Sequence, residues 1–270
     1  MNLDDYRVEG LGVSFADGVL RILLDRPARR NALDDAVVEA LIGLFSRVAT
    51  EPVRVVVLAG AGEHFCGGFD IVARNAATGA PRPRVGSIQR RLPVQAHRLI
   101  PLVLATQVPV VCAVRGWAVG IGLQLALAAD FAVVSEDARL WEPFAERGFT
   151  PDSGGSWLLP RRIGEVRARE MLLLGRPVTG SQAASWGMVH RAVPRAELAD
   201  ATGEVVDALA EGPTVSLGLT KWLLHASASA NLADSLSHEA LALELSSRSD
   251  DFKEGLGAFT EKRPPRFTGR

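Results

Sequence analysis

The chain has 270 residues, of which 47% are hydrophobic and 23% are charged, with 31 acidic against 30 basic side chains. This composition is typical of a globular domain and excludes a disordered or fibrous chain. A formal charge of −1 provides no basic field for nucleic acid or anionic lipid, so neither is expected as a partner. Cys66 and Cys112 are the only cysteines, which predicts no disulfide framework and no metal cluster and favours a reducing cytoplasm. Residues 1–10 hold no apolar run, so no signal peptide is expected.

Stretches of β-branched and aliphatic residues alternate with stretches of helical period, which predicts an α/β fold with parallel strands and crossover helices. At the start, segments 8–14 and 19–24 flank Ala16-Asp17-Gly18, which predicts a β-hairpin because Asp-Gly tolerates positive φ. Beyond the hairpin, an apolar face recurs at helical spacing and predicts an amphipathic helix. Its residues are Val37, Leu41, Leu44, Phe45 and Val48.

Two apolar runs, 53–59 and 109–114, predict buried strands that each end in a glycine-containing turn. A short apolar helix at 123–129 and a third core strand at 131–134 follow, which gives two successive crossovers. The most apolar uncharged stretch, 99–114, is interrupted by prolines and is shorter than the roughly 20 residues that span a bilayer. We therefore expect this stretch to be buried core and not a membrane segment.

Residues 74–93 are rich in proline, glycine and arginine and have no clean period, which predicts a mobile surface loop. The loop is either a solvated connector or a lid over a substrate mouth. The chain is mostly helical from Arg167 onward, so we divide it into an α/β core at 1–195 and a helical part at 196–270. The predicted helices are 167–174, 181–186, 195–210, 214–228 and 232–248.

Two glycine-rich turns follow neighbouring predicted strands. Glycines at 67–68 and between Gly116 and Gly122 let the backbone turn tightly and approach a ligand with its N–H groups. The second turn opens a helix, whose first N–H groups have no internal partners. Because parallel strands end at one edge of the sheet, both turns are expected side by side at a ligand site. Gly60-Ala61-Gly62 lacks the third glycine of a dinucleotide-binding motif, so a nicotinamide site is disfavoured.

Four segments in this order resemble the enoyl-CoA hydratase/isomerase (crotonase) superfamily. They are Asp25-Arg26-Pro27-Ala28-Arg29-Arg30-Asn31-Ala32-Leu33, the stretch from His64 to Ile71, the stretch from Gly116 to Asp130, and Pro151-Asp152-Ser153-Gly154-Gly155-Ser156-Trp157-Leu158-Leu159-Pro160-Arg161. The last is especially similar to ring-epoxide phenylacetyl-CoA isomerases and related enoyl-CoA isomerases. The resemblance implies a spiral of ββα units, a helical C-terminal part that builds a homotrimer or hexamer, and an acyl-CoA thioester substrate.

Site residues follow from the same resemblance. The family's two oxyanion donors fall on the backbone N–H groups of Phe69 and Ile121, and fixed donors of this kind stabilise the negative oxygen of a thioester enolate. Coenzyme A enters as part of the substrate, and no permanently bound cofactor is implied. The residues implied in binding it are Ala28, Arg29, Arg30, Gly67, Asp70, Ile71, Phe259 and Lys262. Arg29 and Arg30 could equally be a solvated pair, although the phosphates of coenzyme A favour cations.

Gln124 and Phe144 occupy the positions where hydratases of this family carry two glutamates, and neither can ionise. Asp152 falls where some family isomerases carry a catalytic aspartate. We therefore favour isomerisation of an unsaturated or ring acyl-CoA by a proton shuttle on Asp152, with a pKa raised by apolar neighbours such as Phe144, Phe149 and Trp157. Asp152 could instead cap the helix that begins near Ser153.

Two other functions stay open from the sequence. One is a 2-enoyl-CoA hydratase that uses a relocated carboxylate such as Glu142 or Glu146, and the other is a non-catalytic acyl-CoA-binding trimer. The five histidines lack metal-ligand spacing, so no metal site is expected. A serine hydrolase is disfavoured because the serines near residues 153–156 lie in no Gly-x-Ser-x-Gly turn.

Overall fold

The computed structural model describes residues 6–71 and 84–270. Residues 74–83 of the predicted surface loop therefore lie outside the described residues. The nine strands of the described part are β1 (Leu11–Ala16), β2 (Val19–Leu24), β3 (Val55–Gly60), β4 (Val110–Val114), β5 (Trp117–Val119), β6 (Phe131–Ser135), β7 (Arg139–Trp141), β8 (Val178–Thr179) and β9 (Arg191–Val193).

The larger sheet has the strand order β1-β2-β3-β4-β6-β9. Strands β1 and β2 form the predicted antiparallel hairpin, in register from Leu11↔Leu24 to Ala16↔Val19, and the other pairs are parallel. Asp17 and Gly18 both adopt positive φ, of 51° and 77°, as a two-residue hairpin turn requires. The hairpin prediction is confirmed, although β1 begins at Leu11 and not at Val8.

A smaller sheet has the order β5-β7-β8, with β5 parallel to β7 and β7 antiparallel to β8. The sequence did not predict this sheet, because strands of two or three residues are too short to show an alternating pattern. It continues from the glycine turn that follows β4, since Trp117 begins β5 directly after Gly116. The second glycine-rich turn is therefore framed by both sheets.

The helices alternate with the strands and then dominate the C-terminal third. They are α1 (Asp35–Arg47), α2 (Ser87–Arg91), α3 (Leu99–Ala105), α4 (Ile121–Ala128), α5 (Gly155–Leu174), α6 (Gly180–Ser185), α7 (Leu198–Ala210), α8 (Thr214–Ser227), α9 (Leu232–Ser246) and α10 (Asp250–Glu261). The predicted helix at 167–174 is the second half of α5, in which Gly164 breaks the helical geometry at φ 74° and ψ 164°. The sequence did not predict α10.

The large sheet is covered on both faces, so its strands are apolar on both sides. Along β3, Val56 and Leu58 pack in the main core with α1 and α4, while Val55 and Val57 pack with Val206 of α7. This alternation follows the two-residue period of a strand. Helix α7 follows the boundary that we predicted between residues 195 and 196, and it buries one side against the sheet.

Helix α8 is attached to the core by a buried ion pair. Lys221 Nζ lies 2.8 Å from Asp130 Oδ2 and donates to the carbonyl oxygens of Val103 and Val108. Burial lowers the pKa of Lys221, an effect that the Asp130 carboxylate opposes. Among the described residues, none of the helices combines the length and apolarity that crossing a bilayer requires.

Candidate active site

A tight turn after β2 connects the start of the chain to the loop after β3. Asn31 is 1% exposed and adopts φ 55°, and its side-chain amide donates to the carbonyl oxygens of Ala61 and His64 at 2.9 and 2.7 Å. Its Oδ1 accepts from the backbone N–H of Arg26 at 2.9 Å. Asparagine tolerates this left-handed backbone and carries both a donor and an acceptor, so Asn31 fixes the two segments together.

The two predicted glycine-rich turns lie side by side. The N–H of Cys66 donates to the carbonyl of Trp117, and the N–H of Val119 donates to the carbonyl of Cys66, both at 2.9 Å. A methyl group on Gly122 would lie 2.6 Å from Cβ of Cys66, which is closer than real side chains approach. The absence of a side chain at Gly122 therefore lets the first turn of α4 contact the loop after β3.

Within this contact, two peptide groups have orientations fixed by their own carbonyl oxygens. The carbonyl of Gly68 accepts from the N–H of Leu33 at 2.8 Å, so the N–H of Phe69 in the same planar peptide points to the opposite side. The carbonyl of Gly120 accepts from the N–H of Gln124 at 2.9 Å within α4, so the N–H of Ile121 points out of the helix N-terminus.

Phe69 and Ile121 line one cavity of about 520 Å³, together with Asp152. Gly67 and Ile71, which the sequence predicted to bind coenzyme A, also line this cavity. Further lining residues are Ile88, Arg91, Leu92, Phe144, Arg147 and Phe149. Three of these, Ile88, Arg91 and Leu92, come from the described end of the predicted surface loop, where the chain forms α2. This end of the loop is therefore a wall of the cavity.

Asp152 contributes a carboxyl group to the cavity from the loop before α5. Burial raises the pKa of Asp152, while the hydrogen bond from the Ser153 hydroxyl and the charge of His97 act in the opposite direction. The predicted direction of the shift agrees with the structure. The predicted helix cap does not, because Gly154 is the N-cap of α5 and no side chain caps this helix.

The apolar part of the wall is aromatic. Phe144 is buried, and its ring meets that of Phe149 edge to face, with centroids 5.4 Å apart. Trp157, which we had expected near Asp152, lines two other cavities and packs under the guanidinium of Arg161 at 4.0 Å. Trp157 therefore does not belong to the wall of the cavity that holds Asp152.

Gln124 and Glu142 meet behind this wall. Both are 0% exposed, and Gln124 Nε2 donates to Glu142 Oε1 at 2.9 Å. Burial, followed by the charge of Asp152, raises the pKa of Glu142 well above its usual range, against the hydrogen bond from Gln124. Glu142 does not line the cavity, whereas its neighbours Pro143 and Phe144 do. Glu146 lies on the protein surface.

The residues predicted to bind coenzyme A divide into two groups. Ala28, Arg29 and Arg30 lie in and after the short 3-10 helix Pro27–Arg29, and the Arg30 carbonyl accepts from the N–H of Gly67 at 2.7 Å. Arg29 Nη1 lies 3.0 Å from Asp70 Oδ2, and Arg26 Nη2 lies 3.3 Å from the same oxygen. Asp70 thus orders arginines beside the cavity.

Phe259 and Lys262 form the second group, and within one chain they are not brought to the cavity. Both belong to the end of α10, where Phe259 is 84% exposed. The tail after α10 returns to the start of β3, because the Phe267 carbonyl accepts from Arg54. The cavity lies at the opposite, carboxyl end of the same strand, after Gly60.

Sequence reasoning missed several residues that shape the site. Asn31 carried a usable signal, since an asparagine directly after a turn is a common left-handed residue. Asp70 was predicted, but its contact with Arg29 was not. The Gln124–Glu142 pair carried no local signal, because 18 residues separate its members.

Among the described residues no group of His, Cys, Asp and Glu side chains could hold a metal ion.

Residues 14–270 match the family model described as enoyl-CoA hydratase/isomerase. The chain belongs to the enoyl-CoA hydratase/isomerase family. It is 37% identical to the 1,2-epoxyphenylacetyl-CoA isomerase of Escherichia coli strain K12 over 94% of this chain and 96% of that protein. It is 33% identical to the carnitinyl-CoA dehydratase of Proteus mirabilis, over 97% and 99% of the two chains.

The fold of this family member also matches solved structures. An enoyl-CoA hydratase from Bacillus anthracis superposes with a TM-score of 0.89 at 30% identity, covering 97% of this chain and 100% of that one. The predicted crotonase fold and family are therefore confirmed. The relatives carry isomerase, dehydratase and hydratase names, so family membership makes the chain an acyl-CoA enzyme without selecting the reaction.

Proposed function

We propose that the protein isomerises an unsaturated or ring acyl-CoA thioester by moving a proton on Asp152. The observation that carries this proposal is the composition of the cavity wall. Among the described lining residues, Asp152 is the only carboxylic acid, and it shares the wall with Phe69 and Ile121. One base and two backbone donors are the minimum set for forming and reprotonating an enolate.

In the proposed mechanism, the Asp152 carboxylate takes a proton from a carbon of the acyl group. The electron pair moves onto the thioester oxygen, which accepts hydrogen bonds from the N–H groups of Phe69 and Ile121. Each such donor lowers the barrier by about 3 kcal/mol in comparable sites. Asp152 then returns the same proton to a different carbon, so the enzyme ends in its starting state and the product is an isomer.

The raised pKa of Asp152 fits this shuttle. A base of higher pKa takes a proton from carbon more readily, and its conjugate acid still returns it. Phe144 and Phe149 line the same cavity and present an apolar, aromatic surface to the acyl group. The E. coli relative is named for an epoxyphenylacetyl substrate, which supports a ring acyl group as one candidate for this chain.

The hydratase alternative needs a carboxylate that activates water in the cavity. Gln124 and Phe144 cannot supply one, and Glu142 is fully buried behind the wall on Gln124. The isomerase is therefore the better supported reaction. A non-catalytic acyl-CoA-binding protein is less well supported, because a carboxyl group and the two candidate backbone donors share one cavity, a combination that binding alone does not require.

We also propose that coenzyme A lies along Arg29 and Arg30 and the loop from Gly67 to Ile71, as part of the substrate.

The protein is expected to act as a homotrimer or a pair of trimers in the cytoplasm, where its two buried free thiols stay reduced. Large apolar side chains are exposed along α8, α9 and α10, which supports self-association. They are Leu224, Leu232, Leu236, Leu241, Leu243, Leu245, Phe252, Leu256 and Phe259.

The test is turnover of three coenzyme A esters, namely 2-enoyl, 3-enoyl and ring-epoxide phenylacetyl, by the wild type and by Asp152→Asn. We expect rearranged products from the wild type and a loss of about a hundredfold or more in the variant, with ester binding retained. Hydration of the 2-enoyl ester that the variant leaves unchanged would contradict the assignment. Binding of every ester without any turnover would favour the non-catalytic alternative.

A further inference from the structure

The Gln124–Glu142 pair has two polar atoms that the structure leaves unsatisfied. One hydrogen bond joins Nε2 of Gln124 to Oε1 of Glu142, and the remaining atoms, Gln124 Oε1 and Glu142 Oε2, are buried without a partner. Both are acceptors if Glu142 is ionised. Buried acceptors without donors are expensive, and two of them on facing side chains form an unfavourable arrangement.

A single proton removes this conflict. A neutral carboxylic acid has one O–H donor, and a primary amide opposite it has one N–H donor and one carbonyl acceptor. When Glu142 carries a proton on Oε2, that O–H donates toward Gln124 Oε1 while Gln124 Nε2 continues to donate to Glu142 Oε1. Both unsatisfied atoms are then used, and no charge is buried.

We propose that Glu142 is a neutral acid, paired through two hydrogen bonds with Gln124, and that this pair positions Asp152 and leaves it as the sole negative charge at the reaction site. The charged and titratable groups around the pair are consistent with this. Asp152 faces Glu142 from the loop before α5, His97 faces Asp152 from the segment before α3, and Arg91 and Arg147 line the cavity.

The Gln124–Glu142 pair can position Asp152 because it contacts Gly155 at the start of α5. A methyl group built on Gly155 would lie 2.7 Å from Gln124 Nε2 and 3.4 Å from Glu142 Oε1, so the start of α5 rests directly on the pair. The N–H of Gly155 donates to the carbonyl of Asp152 at 3.2 Å. The pair therefore sets where α5 begins, and α5 sets where the Asp152 loop lies.

The state of the pair is tested by stability against pH, which does not depend on the proposed function. Consider a carboxyl that is protonated in the folded chain and ionised in the unfolded chain. As the pH rises from about 4.5 to the folded pKa of this group, the equilibrium constant for folding falls about tenfold per pH unit. Glu142→Gln keeps both hydrogen bonds with a permanent amide. We expect this variant to lose that dependence and to be more stable than the wild type at neutral pH.

Glu146→Gln is the matched control, because Glu146 is an exposed glutamate on the same segment and should leave the pH dependence unchanged. If Glu142→Gln unfolds, infrared spectra of the wild type and of Asp152→Asn decide the matter. A protonated carboxyl C=O band that persists at about pH 8 in both proteins supports the neutral pair, and its absence from both overturns it. Equal pH dependence in wild type and folded Glu142→Gln also overturns it.

The consequence for Asp152 rests on the proposed function and has its own readout. In the wild type, ionisation of Glu142 at alkaline pH adds a second negative charge near the enolate and breaks one of the two hydrogen bonds, so turnover should fall there. In Glu142→Gln this alkaline loss should disappear. An unchanged alkaline limb contradicts the positioning role, whereas a chain without turnover of any ester contradicts only the proposed function and leaves the stability result valid.

Discussion

Arg29 Nη1 lies 3.0 Å from Asp70 Oδ2, so an arginine with more than half of its side chain exposed is held by a carboxylate that is 7% exposed. The pairing orders a long, flexible cation at the edge of the cavity before any ligand arrives. Because Arg26 approaches the same oxygen, Asp70 holds two arginines against the loop after β3. Preorganised arginines of this kind bind phosphate with a smaller loss of side-chain entropy.

Replacing Asp70 by asparagine should therefore weaken binding of coenzyme A esters while leaving the chemical step intact. We expect KM to rise severalfold, because Arg29 loses the partner that orders it, with kcat within about twofold of the wild type. Steady-state kinetics on the best ester of the panel measures both. Asp137→Asn, which removes an exposed ion pair with Arg195, is the control and should change neither constant. A fall in kcat alone at Asp70 would contradict the binding role.

Asp152 should destabilise the folded chain at neutral pH. Burial raises its pKa above the usual 3.8, so the folded state holds this proton more tightly than the unfolded state. The resulting stabilisation is complete below the unfolded pKa and is lost as the pH rises through the folded pKa. Asp152→Asn should thus have a higher denaturation midpoint than the wild type at about pH 7, and the difference should shrink toward about pH 4.

The raised pKa of Asp152 also predicts how the rate of turnover changes at acid pH. Turnover needs the carboxylate, so activity should fall as the pH drops through the raised pKa of Asp152, above 3.8. Denaturant curves and pH–rate profiles on the same samples separate a loss of the base from a loss of the fold. An inactive Asp152→Asn that is also less stable than the wild type at neutral pH would show that the residue is structural.

Gly122 should tolerate no side chain. Its replacement by alanine sets a methyl group 2.6 Å from Cβ of Cys66 and separates the two turns that carry Phe69 and Ile121. We expect a loss of about 1–3 kcal/mol or more in the free energy of unfolding, and a fall in kcat at permissive temperature. Gly203→Ala in α7, where nothing lies within 4 Å, is the control. It should gain about 0.5–1 kcal/mol from helix propensity.

The sequence predicted elements whose signal is local and periodic. Helix α1 and strands β3, β4 and β6 carry long apolar patterns, and the Asp17-Gly18 turn carries its own backbone preference. Where the functional geometry depends on contacts between distant segments, the sequence alone predicted less. Glu142 illustrates this: its position beside Pro143 was visible, but its burial on Gln124 follows from how α4, the smaller sheet and α5 meet.

Lys262 offers a test of whether a second copy completes the site. Within one chain Lys262 ends α10 away from the cavity, so a contact with coenzyme A requires a neighbouring chain. We expect Lys262→Ala to raise KM severalfold in the assembled protein. Leu243→Glu with Leu256→Glu places two charges on the exposed apolar surface and should shift the protein to monomers in light scattering.

Combining these changes gives the decisive comparison. If Lys262 acts across an interface, the monomeric variant has already lost its contribution, so adding Lys262→Ala should leave KM unchanged. If Lys262 instead acts within its own chain, the two effects should add. Lys253, an exposed lysine paired with Asp250 at the start of the same helix, is the control, since Lys253→Ala should leave KM unchanged in both backgrounds. If the wild type, which has both leucines, is itself monomeric in light scattering, the proposed trimer is contradicted directly.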